Sequence, residues 1–135
     1  MAPRYVLDTN ICIYIAKRRP IEVLRRFEQL EPGAAAISVV TWGELLFGAE
    51  RSVRRPEALA VLEEFRTVLA VLAMADSVGV HYAAIRGDLA RRGEPIGNND
   101  LWIASHVRDL GAVLVTNNTR EFLRVPGLIV ENWAG

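Results

Sequence analysis

Three carboxylates stand where a packing account explains them only in part: Asp8, directly after the apolar run Tyr5-Val6-Leu7, Glu44 within Thr41-Trp42-Gly43-Glu44, and Asp100 after the polar run Gly97-Asn98-Asn99. Each has a local explanation. Asp8 suits an Asx turn or a helix cap, Thr41-x-x-Glu44 reads as a capping box, and an acid at Asp100 favours a helix N-terminus. Together they say more. Carboxylates gathered at one place repel one another and hold raised pKa values unless a cation lies between them. Oxygen-only donors suit a hard divalent ion, Mg²⁺ or Mn²⁺. Such an ion polarises a phosphoryl oxygen and acidifies water, so the chemistry expected is phosphodiester hydrolysis.

Other site chemistries find little support. His81 and His106 lack H-x₃-H or H-E-x-x-H spacing, which argues against zinc. There is no P-loop, dinucleotide fingerprint or G-x-S-x-G elbow. A phosphatase built on Asp8 would need a second acid two residues on, where Asn10 stands. Cys12, the single cysteine, sits on an apolar helix and reads as core filler; it excludes an internal disulfide and fits a reducing, cytoplasmic setting.

The elements that must position the acids follow from periodicity and punctuation. Tyr5–Leu7 predicts a buried strand. Thr9 or Asn10 is expected to cap a helix that stops before Pro20, and a second helix covers 21–29 with Val23, Leu24 and Phe27 inward. The run 34–37 predicts a strand, and Ser38 caps the helix carrying Glu44. Pro56 opens a helix holding Leu59, Leu62, Phe65 and Leu69. A strand lies within 68–74, and Asp76 caps a helix over 77–92 that ends at Gly93. Asp100 is expected to start a helix running to about Asp109, with 96–99 as loop and Gly111 as its end. Strands at 112–115 and 128–130 flank a polar turn at 116–119 and a short helical piece at 120–122. Alternating strands and helices predict an α/β fold, a central parallel sheet with helices on both faces. Sites in such sheets lie beyond the carboxyl ends of the strands, so Asp8 and the Thr116-Asn117-Asn118 turn should meet there.

The 135 residues, 51% of them hydrophobic, suffice for one domain over 1–135 with a sizeable core, and no linker divides them. No apolar run approaches the ~20 residues of a membrane span. Sixteen basic and sixteen acidic residues cancel, so bulk charge does not announce a nucleic-acid binder. The basic residues cluster at Lys17-Arg18-Arg19, Arg25-Arg26, Arg51 with Arg54-Arg55, and Arg91-Arg92. Solvated helix faces explain such clusters one at a time.

Four motifs occur in order: Leu7-Asp8-Thr9-Asn10; Glu44-Leu45 with Gly48; Ile96-Gly97-x-Asn99-Asp100-x-x-Ile103-Ala104; and Thr116-Asn117-Asn118-Thr119-Arg120-Glu121-Phe122. In that register the chain resembles the PIN-domain ribonucleases, specifically the VapC toxins of type II toxin–antitoxin pairs, from about Tyr5 to Trp133. The resemblance implies a Mg²⁺-dependent RNA endonuclease (Mn²⁺ as the alternative ion) that cuts loops of structured RNA, tRNA or rRNA, and so inhibits translation. It implies Asp8, Glu44 and Asp100 as metal-binding and catalytic acids, with Thr116 as the hydroxyl steadying the site. Many members carry a fourth acid where this chain has Asn118, which leaves a second metal and the role of Glu121 open. It further implies a homodimer, inhibition by a VapB-type antitoxin, and contact with operator DNA only through that antitoxin. The alternative is a catalytically idle PIN domain that binds RNA or protein. Arg86, Arg91 and Arg92, near Asp100 in sequence, are candidates to hold flanking phosphates. Surplus apolar residues on the early helices (Ile13, Tyr14, Leu24, Phe27, Trp42, Leu46, Phe47) predict a groove for an amphipathic antitoxin helix.

Overall fold

A computed structural model describes residues 3–135. Five short strands build an all-parallel sheet: β1 (Tyr5–Leu7), β2 (Ala35–Ser38), β3 (Ala70–Leu72), β4 (Val113–Val115) and β5 (Ile129–Glu131). Their spatial order is β3-β2-β1-β4-β5. The chain therefore builds outward from β1 on one side, then crosses to add β4 and β5 on the other. That reversal leaves a crevice at the carboxyl ends of β1 and β4, the position where open α/β sheets bind ligands.

Seven helices cover the sheet: α1 (Thr9–Lys17), α2 (Ile21–Glu28), α3 (Val39–Glu50), α4 (Arg55–Phe65), α5 (Ser77–Arg92), α6 (Asn98–Leu110) and α7 (Thr119–Phe122). The twofold alternation of strand side chains sorts the core into two layers. Tyr5, Leu7, Ala35, Ile37 and Val115 face α1–α4, packing with Ile11, Ile15, Val23, Leu45 and Phe65. Val6 and Leu114 face the other way, against Ile85, Leu89, Ile103, Val107 and Phe122 of α5–α7. The α/β architecture with helices on both faces is thus the one the alternation implies. Among the described residues no helix is long and apolar enough to cross a membrane.

Several boundaries differ from expectation, each for a local reason. Asp8 itself, not Thr9 or Asn10, occupies the N-cap of α1; its carboxylate takes the Thr9 N–H at 2.8 Å. Ser38 closes β2 and caps α3 at once, its hydroxyl accepting from Val40 N. Glu44 consequently lies mid-helix, so Thr41-x-x-Glu44 is not a capping box. Leu69 falls beyond the end of α4 yet is buried. Asp76 stands at the N-cap of α5 without a side-chain hydrogen bond. Helix α6 begins at Asn98, not Asp100, which places Asp100 in its first turn. Gly93 and Gly111 end α5 and α6 in left-handed conformation (φ +68° and +66°), as predicted.

Candidate active site

Asp8 leaves β1 at the centre of the sheet and is 5% exposed. Its backbone N–H continues the ladder to Val115 O at 2.9 Å, so the β1–β4 pairing fixes where the carboxylate emerges. Oδ1 accepts from Thr9 N and Oδ2 from Thr116 Oγ1 at 2.7 Å. Thr116 is fully buried, and its hydroxyl also accepts from Asn118 N at 2.9 Å. Burial raises the Asp8 pKa, the bonds from Thr116 and Thr9 lower it, and the charge of Glu44 adds to the rise. The carboxylate is oriented, but its charge is poorly compensated.

Glu44 projects from α3 toward the same edge. Thr9 Oγ1 donates to its Oε1 at 2.5 Å, and Asn99 Nδ2 reaches its Oε2 at 3.3 Å. The glutamate thereby ties α1 to the start of α6. Asp100, half-buried in the first turn of α6, has its pKa pushed up to about 7. The causes, in order, are burial, a hydrogen bond with the Glu121 carboxyl, and the charges of Asp8, Glu121 and Glu44. The direction of the shift reflects uncompensated negative charge, which a cation among these acids would relieve.

Of the residues expected from sequence, the structure brings Asp8, Glu44, Asp100 and Thr116 to one edge. Asn118 also lies there, but in a supporting place: its Nδ2 donates to Glu121 Oε2 at 3.0 Å. Glu121, whose role the sequence left open, is the fourth acid of the cluster. Thr9 and Asn99 were not identified from sequence as site residues; each lies within a quoted motif, but only the fold shows that they clamp Glu44. His106 is buried, with Nδ1 2.8 Å from Ser38 Oγ, and burial lowers its pKa. His81 bridges Arg108 and Asp109 away from the acids.

The donor set fits a hard cation. Every group is an oxygen donor, and the electrostatics favour added positive charge. Among the described residues no three donors close around a single point as a preformed cage.

Beside the acids, α1, α3 and α4 enclose an apolar groove of about 530 Å³. Thr9 and Glu44 are among its lining residues, with Ile13, Leu45, Val61 and Leu62 among its walls. Of the apolar residues expected to line such a groove, Ile13 does so. Leu24 is core, while Tyr14, Phe27 and Trp42 pack against the core, and Phe47 projects outward under Arg51.

The family model for the PIN domain matches residues 5–128. The chain is 45% identical to "Ribonuclease VapC2" of Haemophilus influenzae, covering 96% of this chain and 98% of that protein. It is 46% identical to the "tRNA(fMet)-specific endonuclease VapC" of Shigella flexneri, covering 97% and 98%. Among solved structures, DNA-bound VapBC from Salmonella typhimurium superposes with a TM-score of 0.91 at 42% identity, over 98% of this chain and 99% of that one.

Proposed function

The chain belongs to the PIN-domain family, as an RNA endonuclease of the VapC type, and we propose that it is the toxin of a toxin–antitoxin pair that cuts structured RNA with the help of Mg²⁺. The observation carrying this reading is the convergence of Asp8, Glu44, Asp100 and Glu121 at the switch point of the sheet, where burial and mutual charge raise the pKa of Asp100.

Asp8, Glu44 and Asp100 are the residues that would hold the ion, with Glu121 beside them. When bound, the ion supplies charge at the scissile phosphoryl oxygen and a water acidified enough to attack phosphorus. The protein supplies orientation. Thr116 and the Thr9 amide aim Asp8, while Thr9 and Asn99 hold Glu44 across the gap between α1 and α6. Asn118 steadies Glu121 without adding a negative charge. Thr116 thus works through Asp8 and Asn118 through Glu121, as positioning residues.

For substrate we favour a tRNA, the class named for the Shigella flexneri relative. Loops with unstacked bases are what such a shallow site can read. The partner is a VapB-type antitoxin, with an amphipathic helix seated in the α1–α3–α4 groove. Because Glu44 itself lines that groove, a basic side chain on the bound segment would reach the acids and compete with the cation. We take the chain to act as a homodimer and to meet operator DNA only through the antitoxin.

Incubating the purified protein with total RNA and Mg²⁺, and mapping new RNA ends by primer extension, tests the proposal. Discrete cuts that disappear in Asp8→Ala are expected. Intact RNA would favour the idle RNA- or protein-binding domain instead, and cuts that persist in Asp8→Ala would contradict the assignment of this acid cluster.

A further inference from the structure

Beyond the acids, α5 and the start of α6 carry a constellation with no part in holding them. Tyr82 and Trp102 stack with ring centroids 3.9 Å apart and planes 18° from parallel. Trp102 is half-buried and belongs to neither core layer. Arg86, one turn beyond Tyr82, donates from Nη1 to the Tyr82 hydroxyl at 2.6 Å, and its guanidinium lies 5.7 Å from the ring centroid. The same hydroxyl is 3.4 Å from Asn98 Oδ1. The stack holds the tyrosine, and the tyrosine holds the arginine.

Arg86 and Asn98 lie at a cleft of about 260 Å³ whose apolar walls include Leu89, Ile96 and Leu101. Of the neighbouring arginines, Arg92 pairs with Asp88 and Glu94, and Arg124 approaches Glu94, while Arg91 is exposed and does not line the cleft. Among the described residues Arg86 has no carboxylate partner. Asn98 uses its carbonyl toward Tyr82, so its amide N–H groups remain free, two residues from Asp100. A planar cation, two free donors and an apolar slot match one kind of ligand: a flat base joined to a phosphate.

We propose that this cleft receives the nucleotide adjoining the scissile phosphate, with Arg86 and Asn98 as contact residues and Tyr82 and Trp102 as positioning residues. The inference rests on the reading of the chain as a ribonuclease. A second copy of the chain would cover apolar surface equally well. The nucleotide is favoured because Asn98 of the cleft shares the first turn of α6 with Asp100, where the cut would be made.

Steady-state cleavage of a tRNA(fMet) transcript, together with fluorescence-anisotropy binding of the same RNA to Asp8→Asn protein, tests the proposal. Arg86→Ala should raise KM and weaken binding at least tenfold, with kcat changed less than threefold. It should also flatten the log–log salt dependence of binding by about 0.7, the loss of one phosphate contact to a single strand. Arg86→Lys should recover part of the loss, because the charge returns without the planar fork. Trp102→Ala and Tyr82→Phe should shift KM in the same direction while thermal melts remain cooperative. Unchanged KM and binding in Arg86→Ala would overturn the proposal. So would a change in sedimentation from dimer to monomer in Arg86→Ala or Trp102→Ala, which would make this face an interface between copies. If the parent protein binds the RNA through Arg86 but does not cut it, the ribonuclease reading fails while the cleft stands.

Discussion

Thr116 Oγ1 donates a 2.7 Å hydrogen bond to Asp8 Oδ2 across 108 residues of sequence, and both groups are buried at the ends of adjacent strands. The bond fixes the rotamer of the central acid and offsets part of the cost of burying it. The same hydroxyl receives the Asn118 amide, so one threonine organises the whole β4 turn.

Replacing Thr116 by Val should cut activity roughly 10–100-fold, the usual effect of losing a group that orients a metal ligand. It should also cost about 1–3 kcal/mol of stability, because the Asn118 N–H loses its acceptor. Thr116→Ser should retain most activity. RNA cleavage assays and urea denaturation of the three proteins check this.

The acid cluster makes the metal-free protein less stable as pH rises. Asp100 has a folded pKa near 7 against an ordinary value of 3.8. Between those values the folded state binds a proton that the unfolded state has released, so stability falls as pH increases across this window. Thermal melts in EDTA should therefore show Tm declining from about pH 4 toward pH 7. Asp100→Asn should flatten the decline and raise Tm at neutral pH. A parent protein whose Tm rises through that range would contradict the charge account.

An acid at position 118, as in many relatives, would add negative charge that favours a divalent cation. The structure adds a cost, because the amide donates to Glu121 and a carboxylate there would face another carboxylate. Asn118→Asp should accordingly lower Tm in EDTA by a few degrees and recover it in millimolar Mg²⁺. Differential scanning fluorimetry with and without the ion distinguishes this from simple damage to the turn, which Mg²⁺ would leave uncorrected.

The groove proposed for the antitoxin is best probed at Val61 and not at Phe47. Phe47 is exposed but lies outside the groove, whereas Val61 lines it and is 48% exposed. Val61→Asp should leave RNA cleavage intact and weaken inhibition by the cognate antitoxin tenfold or more. Inhibition unchanged from the parent would place the antitoxin elsewhere.

The strands and most helix ends were legible because their signals are local. Tyr5–Leu7, the glycines at 93 and 111, and the cap at Ser38 declare themselves within a few residues. Asp8 was legible as a possible cap but could not be chosen over Thr9 and Asn10, which offer equivalent side chains. The early start of α6 escaped because Asn98-Asn99 is as good a loop as a first turn. At the site, the three acids could be picked out by residue type and motif, but their restraints could not. Thr9 meets Glu44 across 35 residues and Asn99 meets it across 55. Glu121 joins the cluster only because the turn after β4 folds back toward α6. Contacts of that kind arise from topology and leave no local pattern.

The most direct test of the central claim is the single-turnover rate of cutting one tRNA transcript as Mg²⁺ is titrated, for the parent protein and for Asp100→Asn. The parent rate should be negligible in EDTA and rise to saturation with Mg²⁺. Asp100→Asn should stay at least about 10²-fold slower at every concentration, the loss expected when charge preorganised for the transition state is removed. Cleavage that survives EDTA, or an Asp100→Asn rate equal to the parent's, would contradict the assignment of this acid cluster as a metal-dependent ribonuclease centre.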